Sequence, residues 1–255
     1  MNASKAVPIP RFDRVERVTH WCTATLMLTL LVTGFSLYAG PLSTLVGRRE
    51  LVRTVHAYSG LLLPIPVLIA IVMRAGGQLR ADLGRLNRWS RDDRAWWSRR
   101  RRATVELGKF NPGQKLNAAF IGAGMLVMLM SGSIMRWYGP FSDSWRQGAT
   151  FVHDWFAIGL LLAIIGHIAL ALRDADAFGG MVRGYVSAGW AQRNRPRWYA
   201  EVTASDDANG SCGAVGDAPA RVQEHSGEVG LRAGEVAVID RVNGGGGDGV
   251  GEGEL

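Results

Sequence analysis

Four long apolar stretches alternate with arginine-rich blocks along this chain. No Lys, Arg, Asp or Glu occurs between Arg17 and Arg48, and the same holds for residues 54–73, 116–135 and 155–172. A transmembrane helix needs roughly 20 mostly apolar residues to cross about 30 Å of hydrocarbon. The pattern therefore predicts an all-α membrane protein, a four-transmembrane-helix bundle with spans at about residues 18–39, 54–73, 115–136 and 150–172.

The chain before residue 17 is predicted to be separate from the membrane domain, which covers residues 17–199. Residues 1–16 form a polar lead that contains Pro8 and Pro10. The first apolar run begins late, is long and has no small-residue cleavage site, so we interpret it as a retained helix. Pro64 and Pro66 lie inside the second span and predict a kink, because each removes a backbone hydrogen bond.

The last segment, residues 200–255, is rich in Gly, Ala, Asp, Glu and Ser and ends in GGGGDGVGEGEL. From Tyr199 onward the chain holds eleven acidic residues and three arginines, whereas the whole chain has a formal net charge of +7. A segment of this composition buries too little apolar surface to offset its conformational entropy. We expect a disordered tail beside a strongly basic membrane domain.

Basic residues flank the predicted spans unequally. Four lie at or before Arg17, eleven between Arg74 and Lys109, and five between Arg173 and Arg197. The other connections hold fewer of them: Arg48, Arg49, Arg53, Arg136 and Arg146. Short connections rich in Lys and Arg stay in the cytoplasm, so both termini are predicted to be cytoplasmic.

Residues 88–102, RWSRDDRAWWSRRRR, interleave arginine with tryptophan. In a soluble protein this pattern would indicate nucleic-acid binding. Beside membrane spans it is typical of an interfacial segment on anionic lipid, so we expect membrane lipid as a partner and no nucleic acid. Cys22 in the first span and Cys212 in the tail are predicted to be free thiols.

Four of the five histidines fall in or at the ends of the predicted spans: His20, His56, His153 and His167. Ionisable residues at membrane depth are costly and indicate function. One such histidine alone is equally well explained by a hydrogen bond to a neighbouring helix. Here the depths match in pairs, with His20 and His167 near the cytoplasmic ends of their spans and the other two near the opposite ends.

His153 and His167 are 14 residues apart on one span. In an α-helix this separation is about 21 Å along the axis and within about 40° of the same face. Two haems stacked through a bilayer need one imidazole each from a shared helix at this spacing. The sequence therefore predicts two haems b in the core of the bundle, with iron ligated by His20 and His167 and by His56 and His153. Two imidazoles leave no open position for oxygen, which favours electron transfer.

Two other classes of membrane protein are compatible with intramembrane histidines. A metal-ion transporter would cluster carboxylates and histidines at one depth, whereas these histidines lie at two depths with Asp154 as the nearby acid. A structural anchor without cofactor is the other. Arg17, Arg53 and Arg173 could pair with haem propionates or extend to lipid headgroups. Glycines in the spans could admit a flat porphyrin or another helix.

Five segments resemble the cytochrome b (gamma) subunits of respiratory formate dehydrogenases, a family that includes hydrogenase and thiosulfate-reductase cytochromes. They are RVERVTHW (14–21), RTVHAYSG (53–60), FNPGQKLN (110–117), HDWFAIGLLLAIIGHIAL (153–170) and MVRGYVSAGWAQRNRPRW (181–198). The resemblance covers about residues 11–200. It implies that all four histidines ligate haem b, in a multi-pass protein of the bacterial inner membrane. Asn194 and Arg195 depart from it, because the family has histidines there.

The resemblance also implies a role in respiration. An iron–sulfur (beta) subunit would supply electrons to the outer haem, and the inner haem would reduce menaquinone or ubiquinone held by Asn111, Gly113, Gln114 and Lys115. Formate would be oxidised on a molybdenum- or tungsten-containing catalytic (alpha) subunit, because the chain has neither a molybdopterin domain nor a cysteine cluster. A hydrogenase or a thiosulfate reductase is the alternative complex. From the residues alone, Asn, Pro and Gly before the third span form a polar turn that caps a helix.

Overall fold

A computed structural model describes residues 8–39, 41, 47–98, 100, 104–137 and 139–213, with side chains as far as residue 205. Within these residues the chain is mostly helical, and four helical segments are long and apolar enough to cross a membrane. The segments are Arg14–Tyr38, Arg49–Val72, Pro112–Arg136 and Asp143–Arg173. The four predicted spans are therefore confirmed, and the fourth is longer than predicted by about two helical turns at its start.

The described elements are ten helices, one 3₁₀ turn and two short strands. The helices of the spans are α1 (Arg14–Tyr38), α2 (Arg49–Leu62), α3 (Ile65–Val72), α6 (Pro112–Arg136) and α7 (Asp143–Arg173). The other elements are β1 (Ile9–Pro10), a 3₁₀ turn (Arg74–Gly76), α4 (Gly77–Asn87), α5 (Arg91–Ala95), α8 (Ala175–Arg183), β2 (Tyr185–Val186), α9 (Ala188–Asn194) and α10 (Pro196–Gly213). In the bundle α1 packs on α2 and α3, α6 packs on α7, and α2 contacts α6.

The second span is interrupted where its prolines lie. α2 ends at Leu62 and α3 begins at Ile65, with Leu63 and Pro64 between them in helical backbone conformation. The helix resumes after the interruption, because the amide of Leu68 donates to the carbonyl of Pro64 at 3.0 Å. Pro64 and Pro66 lack the amide hydrogens that would continue the ladder, which explains the break at the predicted position.

Two spans begin with capping boxes. The Asp13 carboxylate accepts from the amide of Glu16 at the start of α1, and the Glu16 side chain accepts from the amide of Asp13. Asn111 and Gln114 exchange the equivalent pair of bonds at the start of α6. These bonds satisfy amides that have no partner within the helix, so they fix where each span starts.

The polar elements gather at one end of the bundle, where α1 and α6 begin and α3 and α7 finish. We call this end the polar end; it comprises β1 and the described residues between 74 and 111 and between 174 and 212. β1 pairs with β2 in antiparallel register, Ile9 opposite Val186. Trp190, Ala191 and Trp198 complete a small apolar core beneath the strands.

Large apolar side chains cover the outside of the spans. Val32, Phe35 and Val72 are more than half exposed, as are Met130 and Leu162. Exposed side chains of this size are expected where hydrocarbon is the solvent. The spans therefore present a lipid-compatible surface.

Parts of two predicted segments fall outside the described residues. The lead before residue 8 is one of these parts, although its end contributes β1. α10 continues from Pro196 to Gly213 and so crosses the boundary predicted after residue 199. The remainder of the tail, residues 214–255, lies outside the described part of the chain.

Candidate haem sites and polar end

The four predicted ligands are brought together in the two predicted pairs. The ring centroids of His20 on α1 and His167 on α7 are 6.2 Å apart, with 54° between the ring planes. Those of His56 on α2 and His153 on α7 are 6.3 Å apart, at 66°. α7 thus supplies one imidazole to each level of the bundle, as its 14-residue spacing predicts.

Both separations fit one iron between two imidazoles. A metal–imidazole bond is about 2 Å long, and a ring nitrogen lies about 1 Å from its ring centre, so two imidazoles that held one metal ion between them would have centroids about 6 Å apart. Thr23 provides a further observation near the first pair, one turn along α1 from His20. Its buried hydroxyl has no hydrogen-bond partner among the described residues, whereas buried polar atoms usually have one. The donor set and the spacing therefore suit haem iron.

The second pair has hydroxyl partners on neighbouring helices. Thr33 Oγ1 on α1 lies 2.9 Å from Nδ1 of His56. Ser131 Oγ on α6 lies 3.0 Å from Nδ1 of His153. Imidazole ligands of metals commonly have such a partner on the second ring nitrogen, so both rings are held in the manner of ligands.

A glycine lies against each of these rings. A Cβ atom placed on Gly34 would lie 3.2 Å from Cε1 of His56, and one on Gly132 would lie 3.3 Å from Cε1 of His153. Both distances are shorter than ordinary van der Waals contact. Each ring therefore sits in a notch that a side chain would partly fill.

The four predicted quinone-binding residues lie together at the start of α6, and three of them have side-chain hydrogen bonds. Asn111 and Gln114 form the capping box, and Gln114 Oε1 also accepts from Arg195 at 3.3 Å. The Lys115 ammonium group donates to Asp93 and to the carbonyl of Arg88, both at 2.7 Å. The predicted capping turn is thus present, and Gln114 and Lys115 also bind side chains and a carbonyl outside α6.

Asp93 anchors Lys115 from α5. Burial acts to raise the pKa of Asp93, but hydrogen bonds from Lys115 and from Ser90 outweigh it, and the pKa lies below its usual value. The ionised carboxylate is therefore the favoured form. This pair fixes α5 to the first turns of α6.

Lys109 forms a second buried ion pair at the polar end. Its ammonium group contacts the Asp82 carboxylate and lies 3.9 Å from Glu16. The side chains of all three residues are at most 5% exposed. Burial lowers the pKa of Lys109, and both carboxylates oppose that change. The pair ties the segment before α6 to α4 and to the start of α1.

Arg195, one of the two departures from the family pattern, lies inside this region. Its guanidinium group donates to the carbonyl of Lys109 at 3.3 Å as well as to Gln114. Burial lowers the pKa of Arg195 to about 10. The departure therefore affects the surroundings of the predicted quinone site, a consequence that the sequence did not reveal. Asn194 donates to the carbonyl of Trp190 within its own helix.

Two of the three arginines considered as propionate partners have other contacts in the structure. Arg17 donates to the carbonyl of Val182 at 2.8 Å, and Arg53 pairs with Glu50 at 2.6 Å. Within the described residues no group of three or more His, Cys, Asp or Glu side chains is arranged to hold a metal ion. The histidines occur in twos.

The sequence model of the prokaryotic cytochrome b561 family matches residues 11–184, about two thirds of the chain and both histidine pairs. The chain belongs to the prokaryotic cytochrome b561 family. It is therefore a respiratory cytochrome b subunit, a multi-pass protein of the bacterial inner membrane, and haem b is the cofactor of its family.

Several relatives of this cytochrome are cytochrome subunits of formate dehydrogenases. It is 28% identical to the formate dehydrogenase cytochrome b556(fdo) subunit of Escherichia coli K12, over 76% of this chain and 93% of that one. It is 25% identical to the formate dehydrogenase cytochrome b556 subunit of Haemophilus influenzae, over 82% of this chain and 91% of that one. The probable Ni/Fe-hydrogenase 1 B-type cytochrome subunit of E. coli K12 is 24% identical, over 69% and 89%. The resemblance to the formate dehydrogenase cytochromes is confirmed.

Sequence reasoning missed the hydroxyls and one of the glycines around the second histidine pair of this cytochrome. A signal for them exists, because LVTG (31–34) in α1 and LMSG (129–132) in α6 share a hydroxyl–glycine dipeptide at the same depth. The buried pairs Lys109–Asp82 and Lys115–Asp93 have no comparable signal, since their partners are 27 and 22 residues apart.

Proposed function

We propose that this cytochrome b subunit holds two haems b and passes electrons from an iron–sulfur subunit to membrane quinone in a respiratory formate dehydrogenase complex. The observation that carries the proposal is the pair of imidazole pairs, with centroids 6.2 and 6.3 Å apart, at two levels of one bundle. Identity to formate dehydrogenase cytochromes supports the choice of complex.

In this proposal the four histidines bind the haem irons and hold the haems in place. His20 with His167 and His56 with His153 would each hold one iron from both sides, which denies oxygen a coordination position. Bound haem would supply reversible one-electron chemistry at iron. α7 sets the distance between the two sites, because its rigid backbone carries one ligand for each.

The start of α6 is proposed to hold the quinone head. Lys115 has three N–H donors, and its two oxygen acceptors, Asp93 and the Arg88 carbonyl, account for two of them. Asn111 uses its side-chain oxygen in the cap, which leaves its amide group to donate. Both residues therefore offer N–H donors of the kind that a quinone carbonyl accepts.

The proposed direction of electron flow follows from the predicted orientation. The polar end carries most of the Lys and Arg residues that flank the spans, which supports a cytoplasmic location for it and for both termini. Quinone protons would then be taken from the cytoplasm, and the iron–sulfur (beta) and molybdenum- or tungsten-containing (alpha) subunits would act at the opposite face. The chain itself would not oxidise formate.

Haem content per chain tests the core of the proposal. Purified wild-type protein should show a b-type α band in the reduced-minus-oxidised spectrum and two haems in a pyridine haemochrome assay. His20→Ala, His56→Ala and His153→Ala should each retain about one haem. His225→Ala, at the one histidine outside the pairs, is the matched control and should retain two. An absent α band, or unchanged haem content in His153→Ala, would overturn the proposal.

The quinone site is tested by Asn111→Asp. Aspartate caps a helix as well as asparagine does, so α6 should keep its start. The variant lacks the amide donors and adds a negative charge beside the proposed quinone carbonyl. We expect quinone reduction to slow at least tenfold with both haems and the thermal midpoint unchanged. Unchanged quinone kinetics would remove Asn111 from the site.

The partner is tested by purifying the native complex through this subunit. Molybdenum or tungsten in the co-purified catalytic subunit, with formate-dependent reduction of the b-type spectrum, is the expected result. A nickel–iron subunit with hydrogen-dependent reduction would favour the hydrogenase complex instead. That alternative is kept because one relative is a probable hydrogenase cytochrome.

A further inference from the structure

The hydrogen bonds around His56 and His153 determine which ring nitrogen carries a proton. Each hydroxyl has one proton to donate and two lone pairs that accept. Thr33 Oγ1 lies 2.6 Å from the carbonyl of Thr29, the residue one turn earlier in α1. Ser131 Oγ lies 2.7 Å from the carbonyl of Val127, one turn earlier in α6.

Both hydroxyls therefore donate their only proton to a carbonyl of their own helix. A carbonyl oxygen cannot donate, so each of these short contacts requires the hydroxyl as donor. A second carbonyl lies within reach in each case, that of Leu30 at 3.3 Å and that of Met128 at 3.4 Å. Toward the histidine the hydroxyl can then act only as acceptor, and Nδ1 of each ring must be the protonated nitrogen.

We propose that Thr33 and Ser131 are positioning residues that fix His56 and His153 as Nδ1–H tautomers and leave Nε2 of each ring to ligate one iron. The inference rests on the proposed function, because it concerns how the second ligand pair is prepared. Gly34 and Gly132, next in sequence to the two hydroxyls, leave room for the rings at 3.2 and 3.3 Å from where a Cβ would lie.

The same arrangement of a hydroxyl and the following glycine against a histidine ring occurs twice, on two helices that are far apart in the sequence. α1 presents a hydroxyl and a glycine to the histidine of α2, and α6 presents a hydroxyl and a glycine to the histidine of α7. A buried histidine without a ligand role would need only one hydrogen-bond partner, a donor or an acceptor, on either ring nitrogen. Matching partners on the same nitrogen of both rings indicate a requirement at the other nitrogen.

An acceptor on Nδ1–H also makes Nε2 more basic, which strengthens its bond to a metal. The more basic imidazole stabilises the more positively charged ferric iron. Loss of such a partner lowers metal affinity about 10–100-fold in other proteins. The two hydroxyls should therefore lower the midpoint potential at this site, relative to the same imidazoles without acceptors.

The test compares Thr33→Val and Ser131→Ala with wild type in a redox titration of the purified protein, with spin-resonance spectra of the ferric haems. Thr33→Val keeps the shape of the side chain and removes the acceptor. We expect the ferric-over-ferrous binding ratio at the His56–His153 site to fall about tenfold per variant. A tenfold change is about 59 mV for a one-electron couple, so the potential should rise by that amount, with altered g-values.

Controls are available inside the same molecule. Thr29→Val removes a hydroxyl one turn away that donates to the carbonyl of Thr25, and it should leave both potentials unchanged. The His20–His167 haem should keep its potential in every variant. Thr33→Ser and Ser131→Thr retain the acceptor and should restore wild-type values.

Each outcome decides the inference. A selective shift that the hydroxyl-retaining variants reverse supports it, as does loss of one haem in Thr33→Val that Thr33→Ser restores. Unchanged potentials and spectra in both variants overturn it while two haems remain bound. Absence of haem from the wild-type protein would instead overturn the proposed function.

Discussion

Replacing Lys109 by methionine should destabilise the polar end more than any exposed charge change. The side chain is 1% exposed and lies against Asp82 and Glu16, which are also buried. Burial raises the pKa of Glu16 to about 8. Methionine fills a similar volume without charge, so the main consequence is that the Asp82 carboxylate loses its cation. Removing one partner of a buried ion pair typically costs about 3–5 kcal/mol, because the other charge stays desolvated.

The local surroundings place the cost at the lower end of that range. Arg85 lies 2.6 Å from Asp82, and its side chain is 40% exposed, so in the variant it still compensates part of the buried Asp82 charge. We therefore expect a loss of about 3 kcal/mol in the free energy of unfolding. For a domain of this size 1 kcal/mol corresponds to about 2–4 °C in thermal midpoint, so the midpoint should fall by about 6–12 °C.

The assay is thermal unfolding in detergent at one fixed scan rate, followed by circular dichroism and by the b-type spectrum. Arg53→Gln is the matched control, because its partner Glu50 is 76% exposed and their contact is an exposed pair. Exposed pairs contribute about 0–1 kcal/mol, so this midpoint should change by at most about 4 °C.

A double variant tests the cause. Asp82→Asn with Lys109→Met removes both charges and should recover about 2 kcal/mol of the loss, since neighbouring sites couple by 0.5–3 kcal/mol. A single Lys109→Met variant as stable as wild type would refute the reasoning. So would a double variant whose loss equals the sum of the two single losses.

Three further predictions concern single contacts. Gly34→Ala should displace the His56 ring and reduce haem at that level, measured by haemochrome assay, whereas Gly122→Ala should not, because a Cβ there meets nothing within 4 Å. Asp93 has a lowered pKa, so its pairing with Lys115 stabilises the fold above the ordinary carboxyl pKa, and this stabilisation is lost as pH falls below about 4. The thermal midpoint of wild type should therefore exceed that of Asp93→Asn by less as the pH falls through that range. A difference in midpoint that stays constant with pH would contradict this. Gly184→Ala should lower the midpoint by several degrees, because φ is +98° and a Cβ would lie 2.9 Å from the carbonyl of Phe12; an unchanged midpoint would show that the turn relaxes.

The spans and the histidine pairs were predictable because each rests on a fixed length. Hydrocarbon thickness sets the number of apolar residues in a span, and the helix repeat sets the face and rise between His153 and His167. The break at Pro64 was equally predictable, since proline removes an amide wherever it lies.

The partners of the histidines were not predictable in the same way. A serine or threonine in a helix usually bonds to its own backbone, and Thr33 and Ser131 do so as well. Their contact with a ring on another helix depends on how far α1 and α6 are rotated about their own axes, because that rotation decides which side chains face α2 and α7. Helix rotation is set by packing along the whole interface, so it does not follow from any one residue.

The buried ion pairs give the bundle a frame that does not depend on a cofactor. Lys109 ties the chain before α6 to α4 and α1, and Lys115 ties α6 to α5. These contacts position the starts of α1 and α6 and therefore the depth of the residues that follow them. Ligand variants should consequently lose haem without losing the helices. The His56–His153 level lies farther from this frame, so its rings rely more on local partners, which gives the hydroxyl–glycine pairs of α1 and α6 a physical reason to occur at that level.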